Sequence, residues 1–332
     1  MDISIPYYED LSRISNSNIG WFLQKGPAYL HKMLTDPPPE EKNPVLERGT
    51  MIHEYLLQPE EFQKDYVVWN KSRPSSAQQE KFCQALVSSV EIEPNKAILS
   101  AYKESYSTKG KSDDLMLSEG LKIASTLKDY IDFLKENNGR IMISPWDYQM
   151  LAKIQHNTIA HKLADNILYP KPTSDNLVTY HEFHINWECE LEYKKSWISC
   201  KSLLDSLTLD FKNKKVTIAD LKTTAKLWHF EESMEMYDYC RQLMYYCMAV
   251  QWYLKNELGE DPDEWKFEFY IIGIDTTGSC EIRVFNILEA DVAIRKTTIY
   301  YALNEIKWHQ STGKWDHSRA YYEGDGSELL SL

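Results

Sequence analysis

The sequence predicts an α/β protein with a central, mixed but mostly antiparallel sheet flanked by helices. Three observations carry this. From 181 to 191 the chain alternates with period two: His181, Phe183, Ile185, Trp187, Cys189 and Leu191 fall on one face, and Glu182, His184, Asn186, Glu188 and Glu190 on the other, the pattern of a half-buried strand. Two further strand-like runs follow, Trp197 to Leu209 and Val216 to Lys222, separated by a turn at Asn213-Lys214, so the three make an antiparallel meander. Segments with helical spacing precede and follow this meander.

In chain order, residues 8–34 read as a capped helix and its continuation. Ser15 or Ser17 is the N-cap for a segment carrying Ile19, Trp21 and Phe22, and Pro27 opens a second short helix through Tyr29, Leu30 and Met33. The proline-rich stretch 36–44 is a loop. Val45 to Leu57 has helical spacing and stops at Gln58-Pro59; His53 lies on it, four residues after Gly49. From 70 to 140 the chain is polar, with helical stretches near 78–90 and 116–136 and an exposed loop at Ser107 to Asp114. Pro145 starts a helix reaching about Leu168, and a long helix is expected from Phe230 to Asn256. Strands at Trp265 to Ile274 and Cys280 to Phe285 and a helix over 290–309 complete the sandwich. The organisation expected is one domain over 1–332: a helical segment over 1–70, an insertion over 70–140, a sheet-and-helix body over 141–310 and a tail over 311–332. No internal repeat is visible.

Composition bounds the function. With 332 residues, 43% hydrophobic, and 22 Tyr and 10 Trp among the aromatics, the chain can bury a full core. No apolar run approaches the roughly 18 residues of a membrane span, and Met1 to Pro6 lacks a basic-then-apolar leader, so the expectation is a cytoplasmic protein. The six cysteines show no CxxC pair and fit neither a zinc site nor an iron–sulfur cluster. A net charge of −13 argues against a nucleic-acid coat protein, since phosphate neutralisation needs clustered Lys and Arg. It leaves room for a nuclease, whose metal-holding carboxylates are themselves negative.

The chemistry concentrates at Asp220-Leu221-Lys222, at the end of the apolar run Val216 to Ala219. Strand alternation puts Asp220 and Lys222 on one face and Leu221 on the other. A hard divalent cation takes carboxylate and carbonyl oxygens, while a neighbouring lysine can hold or deprotonate the water that attacks phosphorus. By itself Asp-x-Lys is also what a solvated sheet edge looks like.

Taken together, Gly49-x-x-x-His53, Glu182, Asp205, Asp220-Leu221-Lys222 and Gln242-x-x-x-Tyr246 form a pattern that resembles the PD-(D/E)XK nuclease superfamily, in its RecB-like branch and closest to the RecE-type (exodeoxyribonuclease VIII) nuclease domain. The order and spacing match over most of the chain, from Ile14-Ser15-Asn16-Ser17 to the Gln-Tyr helix. Asp205 and Asp220 then serve as oxygen ligands of a metal, with the Leu221 carbonyl adding a third. The resemblance implies that His53 completes the shell; Mg2+ is the expected cofactor and Mn2+ the alternative a histidine would favour. Lys222 orients or deprotonates the attacking water, Gln242 and Tyr246 position the phosphate or Lys222 from the facing helix, and Glu182 matches the family's extra acidic residue.

Each residue also has a bland reading. His53 on an amphipathic helix is ordinarily a satisfied, partly buried histidine. Gln242 and Tyr246 on a Tyr-rich helix are ordinarily core, and neither His181-Glu182-x-His184 nor His53-Glu54 has zinc-site spacing. For DNA the basic candidates are Arg48, Lys71, Arg73, Lys109, Lys111 and Lys226, and the aromatic ones Trp228 and Tyr66. The resemblance implies digestion of duplex DNA ends from the 5' side to leave 3' tails for recombination, a homo-oligomeric ring, a single-strand annealing partner and a phage or prophage origin. The rivals are another RecB-like nuclease, an endonuclease or CRISPR-associated type, and a non-catalytic DNA-binding scaffold of the same fold.

Overall fold

The computed structural model describes residues 5–39, 43–136, 139–171 and 176–328. The leader reading at Met1 to Ser4, residues 40–42 of the proline-rich loop and the last four residues of the tail lie outside them. The chain divides into two compact units, Met1–Pro59 with Met150–Leu332, and Glu60–Gln149.

The first unit opens with α1 (Asn16–Thr35). Its N-cap is a reciprocal box: the Ser15 hydroxyl accepts from the Asn18 amide, and the Asn18 side chain accepts from the Ser15 amide at 2.8 Å. Gly26, at φ +81°, interrupts the helix and Pro27 restarts it, as the sequence implies. Helix α2 (Pro44–Leu57) is capped by Asn43 and ends before Pro59.

The second unit begins within α3 (Pro59–Asp65) and holds β1 (Tyr66–Val68), α4 (Ala77–Val87), α5 (Pro94–Ser105), α6 (Asp113–Thr126), α7 (Lys128–Glu136) and β2 (Ile141–Ile143), which pairs in parallel with β1. Its own core gathers Phe82, Ile98, Tyr102, Met116, Leu127 and Ile131. Helix α5 escapes the sequence pattern because two of its four buried positions are alanines, Ala97 and Ala101, which carry little apolar signal.

The remaining elements belong to the first unit, apart from the opening turns of α8. Helix α8 (Pro145–Ala160) is followed by α9 (Lys162–Leu168), β3 (Leu177–Glu190), β4 (Trp197–Asp210), β5 (Lys215–Thr224), α10 (Phe230–Met236), α11 (Tyr239–Asn256), β6 (Lys266–Asp275), β7 (Ile282–Ile287), α12 (Glu289–Ala293), α13 (Arg295–Thr312) and α14 (Arg319–Glu323). One five-stranded sheet runs in the order β3-β4-β5-β6-β7; all neighbours are antiparallel except β5 and β6, whose crossover carries α10 and α11. Four stretches expected as continuous helices are broken: 116–136 divides into α6 and α7, 290–309 into α12 and α13, and the breaks within 145–168 and 230–256 have visible causes. His161 Nδ1 accepts the Ala164 amide and starts α9 afresh. Asp238, at φ +47°, separates α10 from α11, a conformation that aspartate tolerates, and its carboxylate takes the Arg295 Nε–H at 2.7 Å.

Helix α11 packs across β3, β4 and β5, with α1 and α13 against it, while α2 packs on β4 and β5. Lys222 lies against α11 and Thr223 against α2, so alternation puts the two helices on opposite faces of the sheet. Among the described residues no helix is long and apolar enough to cross a membrane.

Candidate active site

The β3–β4 ladder pairs His181 with Ser206 and Phe183 with Leu204, and the β4–β5 ladder pairs Ser206 with Ala219. Continuing each register by one residue sets Glu182, Asp205 and Asp220 in a single row across three adjacent strands. The ladders give way at this row. Glu182 adopts φ +48°, and Asp205 Oδ2 accepts the Leu221 amide hydrogen at 2.7 Å in place of a backbone partner. Such a break exposes backbone and side-chain polar groups to one another inside the fold, where a strained conformation persists only because its surroundings enforce it.

Helix α2 adds His53, whose Nδ1 lies 3.6 Å from Asp205 Oδ2, too long for a hydrogen bond. Gly49, one turn earlier, makes room: a Cβ there would stand 3.1 Å from Thr223 Oγ1. Donor atoms of His53, Glu182 and Asp205 all fall within 4.8 Å of one another. Beside them Lys222 Nζ approaches Asp220 Oδ2 to 2.5 Å and sits over the Tyr239 ring, 4.9 Å from its centroid. Gln242 Nε2 donates to Asp220 Oδ1 at 2.9 Å and to the Tyr246 hydroxyl at 2.8 Å.

The electrostatics follow from packing like charges out of water. Burial and the charges of Asp205, Asp220 and Glu54 push the Glu182 carboxyl up to about 8. Burial, opposed by Lys222 and reinforced by Asp205, pushes Asp220 up to about 6, and burial raises Asp205 as well. Burial works to lower Lys222, but Asp220 and Asp205 outweigh it and the ammonium is held on. Burial and the Lys222 charge push His53 down to about 4, so its imidazole is neutral near pH 7, the form that ligates metal.

These residues fit a hard divalent cation. Asp220 Oδ2 is fully buried and, despite the ammonium beside it, has no hydrogen bond of proper alignment, and three carboxylates in one row repel unless protonated or bridged by positive charge. His53, Glu182 and Asp205 form the tightest donor set; Asp220 faces Lys222 and Gln242. Leu221 sits between the two groups: its amide serves Asp205, and its backbone also touches His53. The eight residues given catalytic or metal roles in the sequence, His53, Glu182, Asp205, Asp220, Leu221, Lys222, Gln242 and Tyr246, thus meet at one place.

Tyr239 and Glu54 belong to the site and were not foreseen. Tyr239 stands three residues before Gln242 and seven before Tyr246, on the same helix face, a signal that was available. Glu54 had none beyond its place next to His53. Of the DNA-contact candidates, Lys71 pairs with Asp129 at 3.0 Å, Lys111 with Glu119 at 2.6 Å, and Tyr66 stacks on Phe62, whereas Lys226 and Trp228 are exposed. All six cysteines are free.

No protein-family model matches this sequence, and no curated protein sequence does. Among solved structures, a protein from Eubacterium rectale named "Putative exonuclease" superposes over 100% of this chain and 97% of its own, with 11% identity and a TM-score of 0.49. A protein designated SSO0001 covers 74% of this chain and 89% of its own, with 13% identity and a TM-score of 0.26.

Proposed function

We propose that this protein is a metal-dependent deoxyribonuclease of the PD-(D/E)XK fold that hydrolyses phosphodiester bonds from the ends of linear duplex DNA. The observation that supports it is the row of Glu182, Asp205 and Asp220 across three strands, closed by the His53 imidazole on one side and the Lys222 ammonium, 2.5 Å from Asp220, on the other. Metal-assisted phosphodiester hydrolysis uses this combination: anionic ligands for a cation, and a fixed positive donor where negative charge develops.

When bound, Mg2+ or Mn2+ supplies Lewis acidity toward the phosphate and a water of lowered pKa. His53, Glu182 and Asp205 would hold it, with Asp220 adjoining. Lys222, kept charged by its two aspartates, donates to the attacking water or a phosphate oxygen and stabilises the charge that accumulates there. Gln242 fixes the rotamer of Asp220 by hydrogen-bonding one carboxylate oxygen, and Tyr246 in turn accepts from Gln242, so α11 holds the pair in place. The finer features, 5' to 3' polarity, 3' tails for recombination, a homo-oligomeric ring, a single-strand annealing partner and a phage or prophage setting, are proposed on the motif resemblance alone.

The test uses linear duplex DNA labelled at the 5' or the 3' end, with Mg2+ or EDTA, beside a closed circle and the Lys222→Met variant. Release of 5' label from linear DNA only, dependent on Mg2+ and reduced about a hundredfold or more in the variant, is the expected result. Cutting of the circle would make the enzyme an endonuclease, and binding without cleavage would leave a scaffold.

A further inference from the structure

Cross-strand register links the catalytic face to a second feature. Lys222 pairs with Gly273 on β6, and Gly273 with Arg283 on β7, so the three lie in one row on the Asp220 face of the sheet. With strands about 4.8 Å apart, Arg283 stands roughly 10 Å from Lys222 along the sheet, about the rise of three stacked nucleotides. Gly273 is needed in the middle: a Cβ there would come within 2.6 Å of Leu227 Cδ1 and 3.2 Å of the Phe285 ring. Leu227 therefore anchors in the glycine's hollow and delivers the next residue, Trp228, onto Arg283.

The guanidinium carbon of Arg283 lies 3.5 Å from the centroid of the Trp228 ring, and Arg283 is itself held by Glu281 Oε1 at 2.9 Å. Trp228 is nevertheless 72% exposed. One indole face is thus backed by a fixed cation while the ring remains open to solvent, and Lys226, also exposed, stands two residues away. An exposed indole serves no core, and a cation stacked behind it resists its collapse onto the surface. Nucleobases stack on such rings without regard to sequence, and the neighbouring lysine suits the phosphate that follows.

We infer that Trp228, backed by Arg283, is a stacking platform for an unpaired nucleobase of the strand whose phosphate the carboxylates address. This rests on the nuclease reading. The experiment measures, in EDTA, the affinity of the 332-residue chain for a short oligodeoxythymidylate and for an abasic strand of the same length, by anisotropy of an end label. Wild type and Trp228→Phe prefer the strand with bases; Trp228→Ala loses about tenfold in affinity for it and little for the abasic strand, so the preference disappears. A Trp228→Ala protein that keeps the preference overturns the platform while cleavage by the wild type leaves the nuclease reading standing. A wild type that neither binds the strands nor cleaves duplex DNA overturns both. Because Trp228 is a surface residue, circular dichroism of each variant separates loss of stacking from loss of fold.

Discussion

Asp205 Oδ2 accepts the backbone hydrogen of Leu221 at 2.7 Å, so one carboxylate takes the place of a strand partner where β4 and β5 separate. The same oxygen is the one that faces His53. A side chain that mends the sheet and also stands in the candidate cation site has two roles under the proposed function, and they respond differently to substitution.

Asp205→Asn keeps an oxygen for the Leu221 amide but removes one of three crowded charges. The expected outcome is a metal-free protein as stable as the parent or more so, with cleavage reduced about a hundredfold or more. Asp205→Ala deprives the buried amide of its acceptor and should cost stability by about 1–3 kcal/mol. Thermal unfolding in EDTA and cleavage in Mg2+ check both; an Asn variant that is both unstable and inactive would mean that the charge itself supports the fold.

Glu182 gives the stability of the metal-free protein a pH signature. Its carboxyl, pushed up to about 8 by burial and its acidic neighbours, holds a proton that the unfolded chain releases above about pH 4.3. Its contribution is therefore complete below that value and is lost as pH rises through about 8. His53, pushed down to about 4, acts with the opposite sign, but only between about pH 4 and 6.5. The interval from about pH 6.5 to 8.5 belongs to Glu182. In EDTA the melting temperature should fall across it by roughly 2 °C or more, and Glu182→Gln should flatten the fall. An equally steep slope in the Gln variant would remove Glu182 from this role.

Gly49→Ala tests the approach of α2 to β5. Alanine favours the helix by about 1 kcal/mol, but its Cβ would meet Thr223 Oγ1 at 3.1 Å and displace the turn that carries His53. Stability should hold or improve while Mn2+ affinity, measured calorimetrically, drops about tenfold. Thr223→Ala in the same chain should restore binding, and failure of that rescue would mean that the contact does not position His53.

Much of this was legible in the sequence, for identifiable reasons. The three-strand meander has clean period-two alternation, and the Asp-Leu-Lys run ends an apolar strand, so the side of the sheet that carries the candidate site could be read directly. The breaks at His161 and Asp238 were not, because a capping histidine and a left-handed aspartate leave the helical periodicity on either side intact. The interrupted ladder at Glu182 and Asp205 was hidden for a similar reason: alternation tells which face a residue takes, not whether its backbone pairs. Arg283 and Gly273 carried no motif, since their role depends on register between strands distant in sequence.

The row of acids comes from a single unbroken stretch of chain, whereas His53 enters from a helix more than a hundred residues earlier. Short turns let β3, β4 and β5 assemble through near neighbours, and such contacts form ahead of distant ones. The mutual repulsion is thus built from near neighbours in the chain, while the imidazole reaches the site across a long sequence separation. A cation held by His53, Glu182 and Asp205 would fasten the remote helix to the meander, so that ligation would support the fold as well as the proposed catalysis.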